Sequence, residues 1–352
     1  AASDVYKRQN LTDFPVYDLK PERTNSFEVG MNMRFLKNFE LDVTYYNAKT
    51  MNQTFNPELP VGEYARIYIQ TGAVRNQGLE LALNYNNTWK DFTWNTGVTY
   101  SMNKNKILTL ADNAINPITH DKFSISSLNM GGLGSTRFIL KEGGSMGDIY
   151  SLMDLKRDAN GAVYIDENNS VVTESLEANN YIKLGSVLPK GNLAWRNNFS
   201  WKNINVAFLV SARLGGVVFS RTQAVLDNFG VSEASAAARD KGYVSVNGND
   251  RVNPEGWYSV VAGGTAVPQY YIYSATNIRL QEASIGYTIP RKWLGNVCDI
   301  KVSLIGRNLW MIYNKAPFDP ESVASTDNFY QGIDYFMMPS LRNIGFNLSF
   351  KF

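Results

Sequence analysis

The 352-residue chain contains one cysteine, Cys298, and one histidine, His120. A single thiol excludes an intramolecular disulfide framework, and a single imidazole excludes a multi-histidine metal centre. Lys and Arg total 34 against 32 Asp and Glu, a formal net charge of +2, so the chain lacks the basic footprint of a nucleic-acid binder. It also lacks any apolar run of about 18 residues, which excludes a membrane-spanning helix. The leading "AASDVYKRQ" has no apolar stretch of the kind a secretory signal carries, and residues 1–18 read as a foreign leader and an incomplete loop on a truncated chain. No GxSxG, Walker, HExxH or dinucleotide-binding pattern occurs, so nothing points to an enzyme, and no cofactor is implied.

Alternation is what the sequence does have. The last residues, "NIGFNLSFKF", place Ile344, Phe346, Leu348, Phe350 and Phe352 on one face of a strand and Asn343, Gly345, Asn347, Ser349 and Lys351 on the other. Termini usually fray, so an apolar comb carried to the final residue implies a structure that orders it. The same pattern runs through "SFEVGMNMRF", where Phe27, Val29, Met31, Met33 and Phe35 oppose Glu28, Gly30, Asn32 and Arg34. It resumes in "FELDVTYY", so the two segments form a hairpin. Further strands are predicted in "GLELALNY", "FTWNTGVTYSM", "NLAWRNNFSW" and "INVAFLVSAR", and around 283–289 and 300–309. A pair at 136–141 and 147–156 flanks "EGGSM" and brings the expected count to about eleven.

Short turns and long polar loops alternate strictly between these strands. Short turns fall at Leu36, 87–91, 142–146, Lys202 and 290–297, and long loops at about 51–72, 104–135, 157–190, 217–276 and 311–340. Soluble sandwiches need no such alternation, whereas outer-membrane barrels have short periplasmic turns and long extracellular loops. Mean hydropathy below zero is compatible with this, because transmembrane strands alternate apolar and polar residues. Trp89, Trp94, Trp201 and Trp293 sit at or near short turns and Trp310 at the opposite end, as interfacial girdles require; Trp195 fits less well. An odd number of antiparallel strands cannot close a barrel, so the expectation is an all-β, antiparallel transmembrane β-barrel that is partial in this chain.

Six stretches resemble the SusC-like (RagA-like) TonB-dependent transporters of the Bacteroidetes outer membrane. They are "LKPERTNSFEVGMNMRFLKNFELDVTYYNAKT", "VRNQGLELALNY", "FILKEGGSMGDIY", "NIRLQEASIGYTIP", "GRNLWMIYNKAPFDPE" and "RNIGFNLSFKF". The resemblance implies that residues 19–352 are the C-terminal part of a barrel of about 22 strands, about 11 of them here, with the plug and TonB box absent. It further implies TonB as the energising partner through that missing N-terminal part, a SusD-like surface lipoprotein as lid, outer-membrane lipid around the barrel, and an oligosaccharide or, less often, peptide substrate. The segment Asn343 to Phe350 resembles the signal read by the barrel assembly machinery, with Gly345, Leu348, Phe350 and Phe352 carrying it.

Candidate site residues follow from face and loop. Glu28, Arg34, Glu80, Arg213 and Lys301 lie on polar strand faces and are expected to line the lumen. Trp257, Tyr258, Tyr270, Tyr271, Phe329 and Tyr330 lie in long loops, where flat rings with a polar edge suit contact with a ligand or partner. The carboxylate pairs Glu40 with Asp42 and Asp319 with Glu321 read as lumen lining and as a proline-fixed turn, since neighbours on a strand do not establish a catalytic pair. An EF-hand-like register from Asp166 through Asn168 and Ser170 to Glu177 has Val171 where the turn glycine belongs, so the acidic loop 157–190 reads as solvated and no metal is expected. The alternative to a transporter fragment is a secreted soluble β-rich carbohydrate-binding module. In that case Phe27, Val29, Leu81, Val98, Phe208 and Phe346 would be buried between two facing sheets. A passive porin is a third reading that shares the barrel.

Overall fold

The computed structural model describes residues 20–55, 69–115, 120–264, 266–295, 297–325 and 330–351. The leader at residues 1–18, Phe329 and Phe352 therefore lie outside the described residues.

Nine strands form one antiparallel sheet in chain order. They are β1 (Arg23–Phe35), β2 (Phe39–Phe55), β3 (Ile69–Trp89), β4 (Phe92–Thr109), β5 (Gly191–Trp201), β6 (Ile204–Leu214), β7 (Asn277–Ile289), β8 (Asp299–Asn314) and β9 (Asn343–Lys351). Each strand pairs with the next, and β1 and β9 are the outer strands. The short connections lie at one end and are stitched together: the Lys202 amide donates to the Asp91 carbonyl (3.0 Å), the Asn86 amide to the Asn38 carbonyl (3.0 Å) and the Thr288 amide to the Asn203 carbonyl (2.8 Å). Left-handed backbone at Leu36, Lys37, Lys90 and Lys202 makes these reversals tight.

Of the about eleven strands expected, nine lie in the main sheet among the described residues. The pair flanking "EGGSM" leaves the main sheet and joins a four-stranded sheet ordered 182–186, 148–151, 136–141, 127–129. The reason is visible in burial. Asp148–Ser151 is buried at every position and Thr136–Lys141 at four of six, so these segments are covered on both faces and do not alternate. They are also far shorter than the 9 to 11 residues a tilted span needs. Because they depart as a pair, short and long connections still alternate.

The larger hydrophobic core lies outside the nine strands altogether. It gathers Phe138, Ile149, Leu155, Phe219, Val261 and Tyr271 with smaller residues from the long connections. Three helices belong to this loop body: α1 (Arg221–Asn228), α2 (Glu233–Lys241) and α3 (Pro254–Val261). Each starts on a side-chain cap, with Ser220 accepting from the Gln223 amide, Ser232 from the Ser235 amide and Asn253 from the Glu255 amide. A second cluster, with Val74, Ile107, Leu110, Leu128 and Leu140, joins the loop ends of β3 and β4 to this body. By contrast Phe27, Val29, Val98 and Phe346 are exposed, Phe346 by 82%, and Leu81 and Phe208 are only half-buried. Among the described residues no second sheet packs on them, and their exposure is the opposite of what a soluble sandwich core requires.

Candidate functional site

Register converts the sequence combs into two continuous faces. Residues directly opposite in an antiparallel pair point to the same side. Val29 pairs with Tyr45, Tyr45 with Leu79 and Leu79 with Met102, and farther along the same side Trp195 pairs with Val98 and Val210. The side continues through Val206, Ile285, Leu304 and Phe346 to the last strand. One face of all nine strands is thus apolar.

A belt of rings crosses that face near the short turns. Phe35 stacks on Phe39 (5.3 Å between centroids), Phe39 meets Tyr85 (4.7 Å), Tyr85 meets Trp94 edge-on (5.3 Å), and Trp94 stacks on Phe199 (6.1 Å). Phe199 reaches Phe208 (6.2 Å), which takes Trp195 edge-on (5.4 Å). Sequence position alone left Trp195 out of the belt, and the β5–β6 register brings it in. The indole N–H groups find partners within the belt, Trp94 on Asn197 (3.1 Å) and Trp195 on Thr96 (3.0 Å), as amphipathic rings require. At the opposite end Trp310 is exposed.

The other face is polar, and it brings together all five residues expected there. Arg34 pairs with Glu40, Glu28 with Tyr46, and Glu80 with Thr44 and Ser101. Ser101 leads through Asn192 to Arg213, and Lys301 pairs with Thr288 and Ser349. Arg34 and Glu40 form an exposed ion pair at 3.4 Å, and Asp42, Glu80, Thr44, Thr99 and Ser101 surround a hollow of about 430 Å³. On this face Gly78, opposite Tyr46, leaves room for the Tyr46 ring: a Cβ there would sit 2.3 Å from the Met102 carbonyl and 2.5 Å from the ring.

The loop body changes the reading of several candidates. Asp319 and Glu321 do more than form a turn: both carboxylates bind the same guanidinium nitrogen of buried Arg279, each at 2.9 Å. Asn277 and Asn308 bind the other guanidinium nitrogens, and Ser340 donates to Asp319. Burial pushes the Asp319 carboxyl up, but the Ser340 and Arg279 hydrogen bonds, the Glu321 amide and the Arg279 charge outweigh it and hold the group below its ordinary value. Sequence reasoning missed Arg279; its signal was a basic residue in "NIRLQEASIGY" without a lumen-facing explanation.

Among the aromatic candidates, Tyr271 is corrected. It is 2% exposed inside the loop core, its hydroxyl donates to the buried Asp227 carboxylate (2.9 Å), and burial beside that charge pushes its phenol far above the ordinary value. It holds the loop body together and offers no surface. Trp257 packs against the same core and meets Tyr270 edge-on at 5.2 Å, while Tyr258 is half-buried. Tyr270 and Tyr330 keep 39% and 43% of their surface. In the acidic loop the Asp166 carboxylate accepts the Asn168 and Ser170 amides and Asp158 accepts the Asn160 and Ala162 amides, a local use of acceptors that shapes two turns.

A nine-stranded antiparallel sheet, apolar and ring-belted on one face, polar on the other, with short turns at one end and a folded loop body at the other, defines the wall of a transmembrane β-barrel. The family model described as "TonB dependent receptor-like, beta-barrel" matches residues 2–206. The chain belongs to this family, whose barrels lie in the outer membrane and which is a family of receptors rather than enzymes. TonB-dependent receptors P3 and P26 of Formosa agariphila are each 26% identical, over 97% and 94% of this chain. The chain spans about a third of the length of these curated relatives, 35% and 34%. The structure titled "Structure of the RagAB peptide transporter" superposes with a TM-score of 0.69 at 16% identity, over 94% of this chain and 35% of that one, and so shares the fold.

Proposed function

We propose that this chain is the C-terminal barrel portion of an outer-membrane importer energised through TonB by a plug and TonB box that precede it. The observation that carries the reading is the pair of faces: a wall apolar and aromatic outside, polar and charged inside. Glu28, Arg34, Glu80, Arg213 and Lys301 then line a wet lumen, in which buried charge is tolerated only beside water or partners.

The loop body is the extracellular mouth, and a SusD-like lipoprotein is the lid we assign to it. Support comes from exposed apolar side chains on this body: Tyr335 and Phe336, whose rings meet edge-on at 5.5 Å, Met338 (78% exposed) in the same stretch, and Phe229 (73%) at the end of α1. Trp257, Tyr258 and Tyr270 are second-rank contacts, since packing takes part of each ring. Oligosaccharides are the substrate class implied by the family resemblance. A peptide is the second reading, favoured by the fold shared with a protein titled a peptide transporter.

The final strand fits a role in assembly. Leu348 and Phe350 pair with Val302 and Ile300, and among the described residues nothing lies within 4 Å of a Cβ added at Gly345. We assign Gly345, with Leu348 and Phe350, to recognition by the assembly machinery, as the family resemblance implies. The test of the whole reading is uptake. Cells lacking the full-length gene should lose growth on one class of nutrient, oligosaccharide or peptide, and recover it with the gene but not with a copy lacking the TonB box. Recovery by the box-less copy would leave a passive porin.

A further inference from the structure

Above the apolar band the outward face changes character abruptly. The apolar row Tyr45, Leu79 and Met102 across β2, β3 and β4 is followed by Asn47, Gln77 and Lys104, and then by Lys49, Arg75 and Lys106 directly opposite one another. Arg23 on β1 follows one row later, opposite Met51. Among the described residues no carboxylate pairs with any of these five cations. Lys104 and Lys106 are exposed, and Lys49 and Arg75 half-buried.

Like charges directly opposite on one sheet face, with Cβ atoms about 5 Å apart, are destabilising unless an anion lies between them. The position says which anion. Trp89 at the short-turn end and Leu79 are ten residues apart on β3, about 34 Å along the strand and roughly 26 Å along the normal at a tilt near 40°, the height of an apolar barrel band. The Lys104 and Lys49 rows then lie roughly 5 and 10 Å beyond the hydrocarbon edge, at headgroup depth.

We propose that Arg23, Lys49, Arg75, Lys104 and Lys106 form a binding patch for the phosphorylated headgroups of lipids in the leaflet at the loop end. The patch rests on the reading above, in which the apolar face meets lipid. Three cations in one row bridge headgroup phosphates as charge-assisted hydrogen-bond donors, and the adjacent apolar rows hold the acyl chains.

The full-length protein, purified in detergent and placed in nanodiscs, tests this with bis-phosphorylated lipid A, the same lipid dephosphorylated, and free inorganic phosphate as probes. Retention of phosphorylated lipid A is expected, with a loss on the order of a hundredfold in the Lys49→Gln/Arg75→Gln/Lys106→Gln variant, roughly fivefold per cation. Inorganic phosphate in millimolar excess should not displace the lipid. Equal retention by the triple variant, equal retention of the dephosphorylated lipid, or displacement by phosphate would each overturn the proposal. Quenching of tryptophan fluorescence by brominated acyl chains separates the two layers of the argument. Quenching without headgroup preference defeats the patch alone, and absence of quenching defeats the lipid-facing reading beneath it.

Discussion

Asp319→Ala should release the loop that follows β8. In the native structure Asp319 (side chain 8% exposed) and Arg279 (5%) form a buried pair at 2.9 Å, with Glu321 at 2.9 Å from the same nitrogen but 41% exposed. Removing one partner of a buried pair typically costs about 3–5 kcal/mol, because the remaining charge is left without compensation. Glu321 stays in place, so the lower end, about 3 kcal/mol, is expected. That corresponds to roughly a hundredfold rise in the open population of the loop. Hydrogen exchange of amides in 315–325 and 330–342 reads it directly, as does tryptic cleavage after exposed Lys315 and Arg342. Glu321→Ala, which removes a largely solvated partner, should change exchange by less than about tenfold. Acid should imitate the Asp319 change. A carboxyl held below its ordinary value stabilises fully above its unfolded value of 3.8 and loses that contribution as pH falls through the lower folded value, so protection should persist at pH 5 and decline below about pH 4. If Asp319→Ala left exchange in 315–325 and 330–342 within about twofold of the parent at pH 7, the clamp would have no energetic role.

Three other outcomes are expected. Gly78→Val should prevent correct folding of the wall, because its Cβ meets the Met102 carbonyl and the Tyr46 ring; loss of heat-modifiable migration on gels checks it, and Tyr46→Ala should relieve only the ring contact. Tyr271→Phe should destabilise the loop body by about 1.5–3 kcal/mol, since the Asp227 carboxylate loses a buried donor, read as faster proteolysis of the 221–275 region with the barrel intact. Deleting 350–352 from the full-length protein should impair outer-membrane assembly, and an undiminished heat-modifiable barrel in the membrane fraction would count against the assembly signal.

Much of the wall was legible in the sequence because a half-exposed strand writes its environment at a period of two. Phe27 to Phe35 and Ile344 to Phe350 announce their faces without any tertiary information. The pair expected at 136–141 and 147–156 deceived because buried strands carry no such period, and apolar content alone does not say which sheet a strand joins. The polar face was legible for the same reason as the apolar one: parity along one strand and register across the next preserve a face. The burial of Tyr271 was not legible, since a ring in a loop looks the same in sequence whether it faces solvent or a core.

The sequence by itself determined the nine strands of the wall, their two faces, the alternation of turns and loops and the resemblance to an outer-membrane transporter family. Those properties are local or repeat along the chain. Only the tertiary structure decided that the long connections fold into a body with its own core, that Arg279 gathers Asp319 and Glu321 across 40 residues of chain, and that Lys49, Arg75 and Lys106 share one row. Each of these depends on which strands are neighbours and in what register. That is fixed by the sum of many cross-strand contacts and is written in no single segment.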